Sequence, residues 1–257
     1  AAAFAHHSDA ALKKATWLFK LMGNTTLTYL GTRLTPLFIK ARFPFIKSWI
    51  RKTIFKQFVG GETLADTIPV LEKLHHSNVQ VILDYGVEGA STESSFDETT
   101  KAFKEVLTFS ASQTNVPHIS IKLTGICSFT LLEKMDAHMY AAGEASWHAA
   151  YVKACEQLNK TDQEAWQRTY DRLNEICSLA ASLNVSVLVD AEESWIQYPV
   201  DALTHLMMQT YNLQKPVVYN TIQLYRHDRL AFLKSMHQDA QEKNYLLAVK
   251  LVRGAYM

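Results

Sequence analysis

The chain has 257 residues, enough to bury a full core in one domain of (β/α)-barrel size, and its 48% hydrophobic and 20% charged content are those of a soluble globular protein. A formal net charge of +1 lacks the basic excess of a general nucleic-acid binder, so no nucleic-acid partner is expected. Cys127, Cys155 and Cys177 are odd in number and match no zinc spacing, which predicts free thiols in a reducing compartment, and no apolar run reaches the roughly 18 residues of a membrane span.

Residues 1–60 combine helical periodicity, aromatics and many Lys/Arg without any strand-helix alternation, and are expected to form an N-terminal helical arm. Between residues 34 and 58, Phe38, Phe43, Phe45, Trp49 and Phe55 interleave with Lys40, Arg42, Lys47, Arg51, Lys52 and Lys56. Such a segment either packs with its charges in water or lies in a bilayer interface. The pairs His6-His7 and His75-His76 invite a metal reading, but adjacent residues on a helix point about 100° apart and chelate one ion poorly, so no metal is expected.

From residue 79 onward short apolar runs alternate with helical patterns, at 79–85, 119–123, 185–190, 217–223 and 247–252. Continuous apolar runs fit parallel strands covered by helices, in a doubly wound sheet or a barrel. No G-x-G-x-x-G turn follows the first run, which removes the main support for a dinucleotide-binding fold. A long helical insertion is expected at 128–184. Its Trp147, Tyr151, Trp166 and Tyr170 follow helical spacing, and Thr161-Asp162-Gln163-Glu164 reads as a helix start.

Polar residues gather where these runs end: Asp84 and Glu88, then Lys122, then Asp190 with Glu192 and Glu193, then Gln223, then Lys250 and Arg253. In a (β/α) barrel all such ends face one mouth, where active sites are built. The last eleven residues are the most pointed. A charge inside a strand is costly unless paired, Gly254 lets backbone approach a flat ligand closely, and Tyr256 can cover that ligand.

Asp84-Tyr-Gly-Val-Glu88, Ile119-Ser-Ile-Lys-Leu-Thr-Gly125, Val187-Leu-Val-Asp-Ala-Glu-Glu193, Asn220-Thr-Ile-Gln-Leu-Tyr225 and Lys250-Leu-Val-Arg-Gly-Ala-Tyr256 together resemble the flavin-dependent proline dehydrogenases, in their monofunctional and eukaryotic-type wording, over about residues 60–257. The resemblance implies an α/β fold, a distorted TIM-like (β/α)8 barrel that holds FAD noncovalently. It implies oxidation of L-proline to Δ1-pyrroline-5-carboxylate, the first step of proline catabolism, with electrons passed to a membrane quinone. Location would follow: a bacterial cytoplasm or inner-membrane face, or the mitochondrial matrix and inner membrane.

By the same resemblance, Asp190, Ala191, Thr221, Gln223, Lys250, Val252, Gly254, Ala255 and Met257 match cofactor-side positions, with Lys250 supplying positive charge near the reacting flavin atom. Lys122, Asp190 and Tyr256 match substrate-side positions, and these three with Lys250 form the expected catalytic set. Glu88 matches a loop acid that would gate the site. A buried Lys122–Asp190 bridge without substrate contact remains the plain alternative.

The family pattern continues with three more βα units and a Tyr-x-Arg-Arg-type helix that clamps the substrate carboxylate, and none of these occurs here. The expectation is therefore an arm at 1–60 and a partial barrel at 61–257, truncated after its fifth strand, with the remaining segment supplied in cis or by another chain. Two other readings stay open: a (β/α)-barrel lyase whose Lys122 forms a Schiff base, and an incomplete fragment that acts only in binding.

Overall fold

The computed structural model describes residues 4, 7–41, 43–86, 91–144 and 146–254. It divides into two compact units, Ala1–Gln80 and Val81–Met257.

The first unit is helical. Helix α1 (Asp9–Met22) starts at Ser8, whose hydroxyl accepts the Ala11 N–H, and α2 (Thr25–Lys40) starts at Asn24, which accepts from Leu27. Then α3 (Ile46–Ile50) runs through a π-type turn, Arg51–Phe55, into α4 (Lys56–Phe58). Thr63 and Asp66 form a reciprocal capping box at the start of α5 (Leu64–His75). Phe19 meets Phe58 edge to face at 5.8 Å, and Lys14 Nζ donates to the Lys52 carbonyl, so α1 is tied to the turn.

The second unit is a parallel sheet with helices between its strands. The strands are β1 (Ile82–Asp84), β2 (His118–Ile121), β3 (Ser186–Val189), β4 (Val218–Gln223) and β5 (Val249–Val252); four lie inside apolar runs of the sequence, and β2 begins one residue before its run. Their spatial order is β1-β2-β3-β4-β5 with every pair parallel. A doubly wound sheet must reverse direction at a switch point. Here each crossover moves one strand onward in the same sense, and crossovers of one hand place their helices on one face. This is the wall of a (β/α) barrel.

The two faces differ more than the apolar runs suggested. Ile119, Ile121, Val187, Val189, Val218 and Ile222 are buried on the helix side. The alternate residues are mostly polar, His118 and Ser120 of β2, Ser186 of β3, Tyr219, Thr221 and Gln223 of β4 and Lys250 of β5, against the apolar Ile82, Leu188 and Val252 on the same inner face. The expectation of strands apolar on both faces is corrected accordingly, because the inner face builds the mouth.

Between β1 and β2 lies α6 (Glu93–Ala111), and between β2 and β3 the helical insertion is α7 (Phe129–Ala141), α8 (Trp147–Gln157) and α9 (Lys160–Leu183). The start of α9 is not at Thr161. Asn159 is the cap, its side-chain oxygen accepting the Asp162 N–H, and Thr161 already lies in the first turn. Arg172 of α9, 7% exposed, clamps α9 to α6 through Glu93 and Asp97 and also donates to the Ile126 carbonyl. Trp166 donates to the Tyr151 hydroxyl at 3.0 Å, so these aromatics pack against each other within the insertion.

After β3 comes α10 (Gln197–Tyr211), and after β4 comes α11 (Arg229–Lys243). Helix α10 has no side-chain cap of its own. Asp136 of α7 supplies one by accepting the Tyr198 N–H at 2.9 Å. The three cysteines are free thiols, and burial pushes Cys127 up to about 12, as expected of inert buried sulfur.

Candidate active site

The ends of the strands bring the charged residues together. Strands β2 and β3 stop one residue before Lys122 and Asp190, so both side chains leave from the rim rather than from within the sheet. Lys122 Nζ lies 3.3 Å from Asp84 Oδ2 and 3.5 Å from Asp190 Oδ2. Lys250 pairs with the other oxygen of Asp190, Oδ1. Asp190 therefore sits between two ammonium groups, and both it and Lys122 are 17% exposed. Half-desolvated charges of this kind persist only because each has a partner.

One further residue fixes this arrangement. Ser120, buried on β2 two positions before Lys122, donates its hydroxyl to Asp190 Oδ1 at 2.6 Å. The carboxylate is thus oriented with Oδ1 toward Lys250 and Oδ2 toward Lys122. Sequence reasoning missed Ser120, although strand alternation places it on the face of Lys122.

Beside this pair lies a cleft of about 520 Å³ whose wall includes Lys122, Ala191, Glu192, Gln223 and Arg226. Glu192 accepts from the Thr124 N–H at 3.2 Å and from Thr124 Oγ1 at 2.5 Å, stapling the loop after β2 to the loop after β3. Burial pushes the Glu192 carboxyl above its usual range, against the pull of both Thr124 hydrogen bonds. Gln223 donates to the Glu192 carbonyl at 2.8 Å and accepts from Arg226 Nη1 at 3.3 Å.

The other expected cofactor-side residues sit nearby but in different roles. Thr221 is buried, with its hydroxyl donating to the Val189 carbonyl at 2.7 Å, and its register partner on β5 is Lys250. Val252 is half-buried and accepts the Leu224 N–H through its carbonyl. Gly254 has φ of 78°, a left-handed conformation that explains glycine there without reference to any ligand. Glu88, Ala255, Tyr256 and Met257 lie outside the described residues. Among the described residues no group of three or more His, Cys, Asp and Glu could hold a metal ion.

A polar rim carrying two lysines, an aspartate held between them and an amide in an adjoining cleft can bind a flat, electron-rich group and stabilise negative charge on it. The family model for proline dehydrogenase matches residues 67–257. The carbapenem antibiotics biosynthesis protein CarD of Pectobacterium carotovorum is 31% identical over 245 residues, covering 94% of this chain and 60% of that protein. Mitochondrial proline dehydrogenase 1 of Dictyostelium discoideum is 29% identical over 231 residues, covering 81% of this chain and 40% of that protein. The chain thus spans between two-fifths and three-fifths of these relatives' lengths. Among solved structures, proline utilization A from Bdellovibrio bacteriovorus, inactivated by N-propargylglycine, superposes with a TM-score of 0.59 at 21% identity, over 78% of this chain and 20% of that one, which supports the barrel fold. The sheet order, the paired charges at its mouth and a family match that takes in every strand lead to one conclusion: the chain belongs to the proline dehydrogenase family.

Proposed function

We propose that the protein oxidises L-proline to Δ1-pyrroline-5-carboxylate, with FAD as cofactor and a quinone as electron acceptor. The observation that carries this reading is Asp190 held between Lys122 and Lys250 at the barrel mouth, in a chain of this family. The residues present suit a flavin. Its polar edge calls for hydrogen-bonding groups and nearby positive charge, which Gln223 and Lys250 offer, and Ala191 is a small residue in the cleft wall.

Bound FAD would supply the acceptor for the hydride that leaves the proline ring carbon bonded to nitrogen. Lys250 and Gln223 would hold it, with Asp190, Ala191, Thr221, Val252, Gly254, Ala255 and Met257 completing the cofactor side. Lys122 and Asp190 would orient the substrate, and Tyr256 would cover its ring and exclude water. Lys250 keeps a positive charge where electron density grows, an interaction stronger in the transition state than in the ground state.

The test is spectroscopic. The full-length protein should bind FAD with a flavin absorbance spectrum and bleach on anaerobic addition of L-proline. Lys250→Met should slow that bleaching by about a hundredfold or more while leaving the fold intact, since loss of one electrostatic donor is worth about 2.7–4 kcal/mol at such sites. A protein that takes up no flavin refutes the reading. Borohydride trapping of a carbonyl substrate on Lys122 would instead establish the Schiff-base lyase.

The quinone acceptor carries a membrane expectation. Residues 1–60 hold ten Lys/Arg and a single acid, Asp9, and Trp17, Leu37 and Trp49 are exposed there. Among the described residues no helix is long and apolar enough to cross a membrane. We place the contact at the surface of an anionic bilayer, on the matrix side for a mitochondrial protein or the cytoplasmic side for a bacterial one. Salt-sensitive sedimentation with anionic but not neutral vesicles is the expected result, and equal failure to bind either removes the membrane contact.

A further inference from the structure

A closed ring of hydrogen bonds surrounds the end of β4. Starting at the cleft, Gln223 Nε2 donates to the Glu192 carbonyl at 2.8 Å, and the Glu192 N–H donates to Gln197 Oε1 at 3.3 Å. Gln197 Nε2 donates to Asp201 Oδ1 at 2.9 Å, and Arg229 Nη1 donates to Asp201 Oδ2 at 2.6 Å. Arg229 Nη2 reaches Asp228 Oδ2 at 2.7 Å, Arg226 Nη2 reaches the same oxygen at 2.8 Å, and Arg226 Nη1 returns to Gln223 Oε1 at 3.3 Å. Gln197, Asp201 and Arg229 are each no more than 3% exposed, so most of this ring is hidden behind the strand.

The chemistry of the ring fixes one thing that shape alone leaves free. A side-chain amide has nearly the same outline in either orientation, but its nitrogen only donates and its oxygen only accepts. A backbone carbonyl can only accept, and a guanidinium can only donate. Gln223 therefore has its nitrogen toward Glu192 and its oxygen toward Arg226. Flipping it would set donor against donor and acceptor against acceptor. The second N–H of Gln223 is left over, on a residue that lines the cleft.

We propose that Arg226, held by Asp228 and the buried Arg229–Asp201 pair, is a positioning residue that locks the Gln223 amide so that the cleft offers a hydrogen-bond donor. The inference rests on the reading of Gln223 as a flavin contact. It states that Gln223 serves an acceptor atom of the isoalloxazine edge, a carbonyl oxygen or an unprotonated ring nitrogen, and not its imide N–H. The buried Asp201–Arg229 pair thereby gains a role beyond packing, although it touches neither cofactor nor substrate.

Two measurements on the full-length protein separate this inference from the flavin reading beneath it. The first is the side-chain amide signal of Gln223 in the flavin-free protein, identified by its loss in Gln223→Ala. One amide proton should exchange slowly, and Arg226→Met, which leaves only the Glu192 carbonyl to hold the amide, should speed its exchange toward that of the other proton. The second is FAD affinity. Gln223→Glu, which keeps the shape but removes the donor, and Arg226→Met should each weaken it by about tenfold, the upper end of one hydrogen bond, and Arg226→Lys should recover most of the loss. A fall for Gln223→Glu with no change in either readout for Arg226→Met overturns the positioning role and leaves the flavin reading standing. Unchanged affinity in Gln223→Glu removes Gln223 from the flavin site, and this inference with it.

Discussion

Asp201→Asn should destabilise the protein by about 3 kcal/mol, at the low end of the roughly 3–5 kcal/mol for breaking a buried ion pair. Asp201 is 3% exposed and accepts three hydrogen bonds, from Gln197 and Asn220 at Oδ1 and from Arg229 at Oδ2. An asparagine has the same outline but replaces one oxygen by an N–H₂ group. In one orientation that group meets the two amide donors, and in the other it meets the guanidinium, so a buried donor faces a donor either way. The figure stays low because Asp228 keeps hold of Arg229 through Nε and Nη2. Against a typical total of about 5–15 kcal/mol, such a loss is large enough to read directly in urea unfolding followed by circular dichroism. Pairing Asp201→Asn with Arg229→Met should cost clearly less than Asp201→Asn alone, because the asparagine oxygen can then face the Gln197 and Asn220 donors and no guanidinium is left facing an N–H₂ group. A loss below about 1 kcal/mol for Asp201→Asn, with an unchanged denaturant slope, would refute the argument that the pair is interdependent.

Two other predictions concern groups that no motif or spacing singles out. His205 of α10 is fully buried, neither ring nitrogen finds a hydrogen-bond partner among the described residues, and burial lowers it to about 4 from 6.5. The unfolded chain takes up the proton first, so stability is complete above pH 6.5 and falls as pH drops toward 4, by about 3 kcal/mol in full; His205→Phe, which suits a slot between Trp147 and Phe232, should remove that difference in urea melts at pH 7 and pH 4.5. Ser120→Ala frees Asp190 Oδ1 from its hydroxyl donor and should lower kcat/KM for L-proline by about tenfold with bound FAD unchanged, and an unaltered kcat/KM would show that the lysines alone orient the carboxylate.

The sheet was legible because its signals are local. Each of the five apolar runs holds all or most of a strand, and Asp84, Lys122, Asp190 and Lys250 at their ends meet at one mouth. What escaped was whatever depends on alternation within a short strand or on distant packing. His118-Ile119-Ser120-Ile121 alternates polar and apolar over only four residues, too few to stand out as a pattern, yet its two halves face a polar mouth and a helix layer. Thr161, standing just ahead of Asp162 and Glu164, draws the cap reading to itself, but it is Asn159 that accepts the Asp162 N–H. Gln197, Asp201, Arg226 and Arg229 look like ordinary helix and loop residues, and no spacing links positions 197 and 229. Their shared role exists only because α10 and α11 both pack on β4.

The pairing of Lys250 with Asp190 does not compete with the task proposed for Lys250. An ammonium group has three N–H donors, and Asp190 uses one direction of approach, leaving others for a ligand. Asp190 in turn is held from three sides, by Lys250 and Ser120 at one oxygen and by Lys122 at the other, so it does not follow Lys250 toward a ligand. Two lysines and the carboxylates Asp84 and Asp190 leave the rim near neutral before anything binds, which lowers the cost of desolvating it. Negative charge arriving near Lys250 would then meet a cation already fixed in place, with little reorganisation still to be made when the hydride moves. Rim charges that were merely solvated would have to shed water and turn at that moment. On the proposed function, the fixed Asp190 is what would allow Lys250 to act at once.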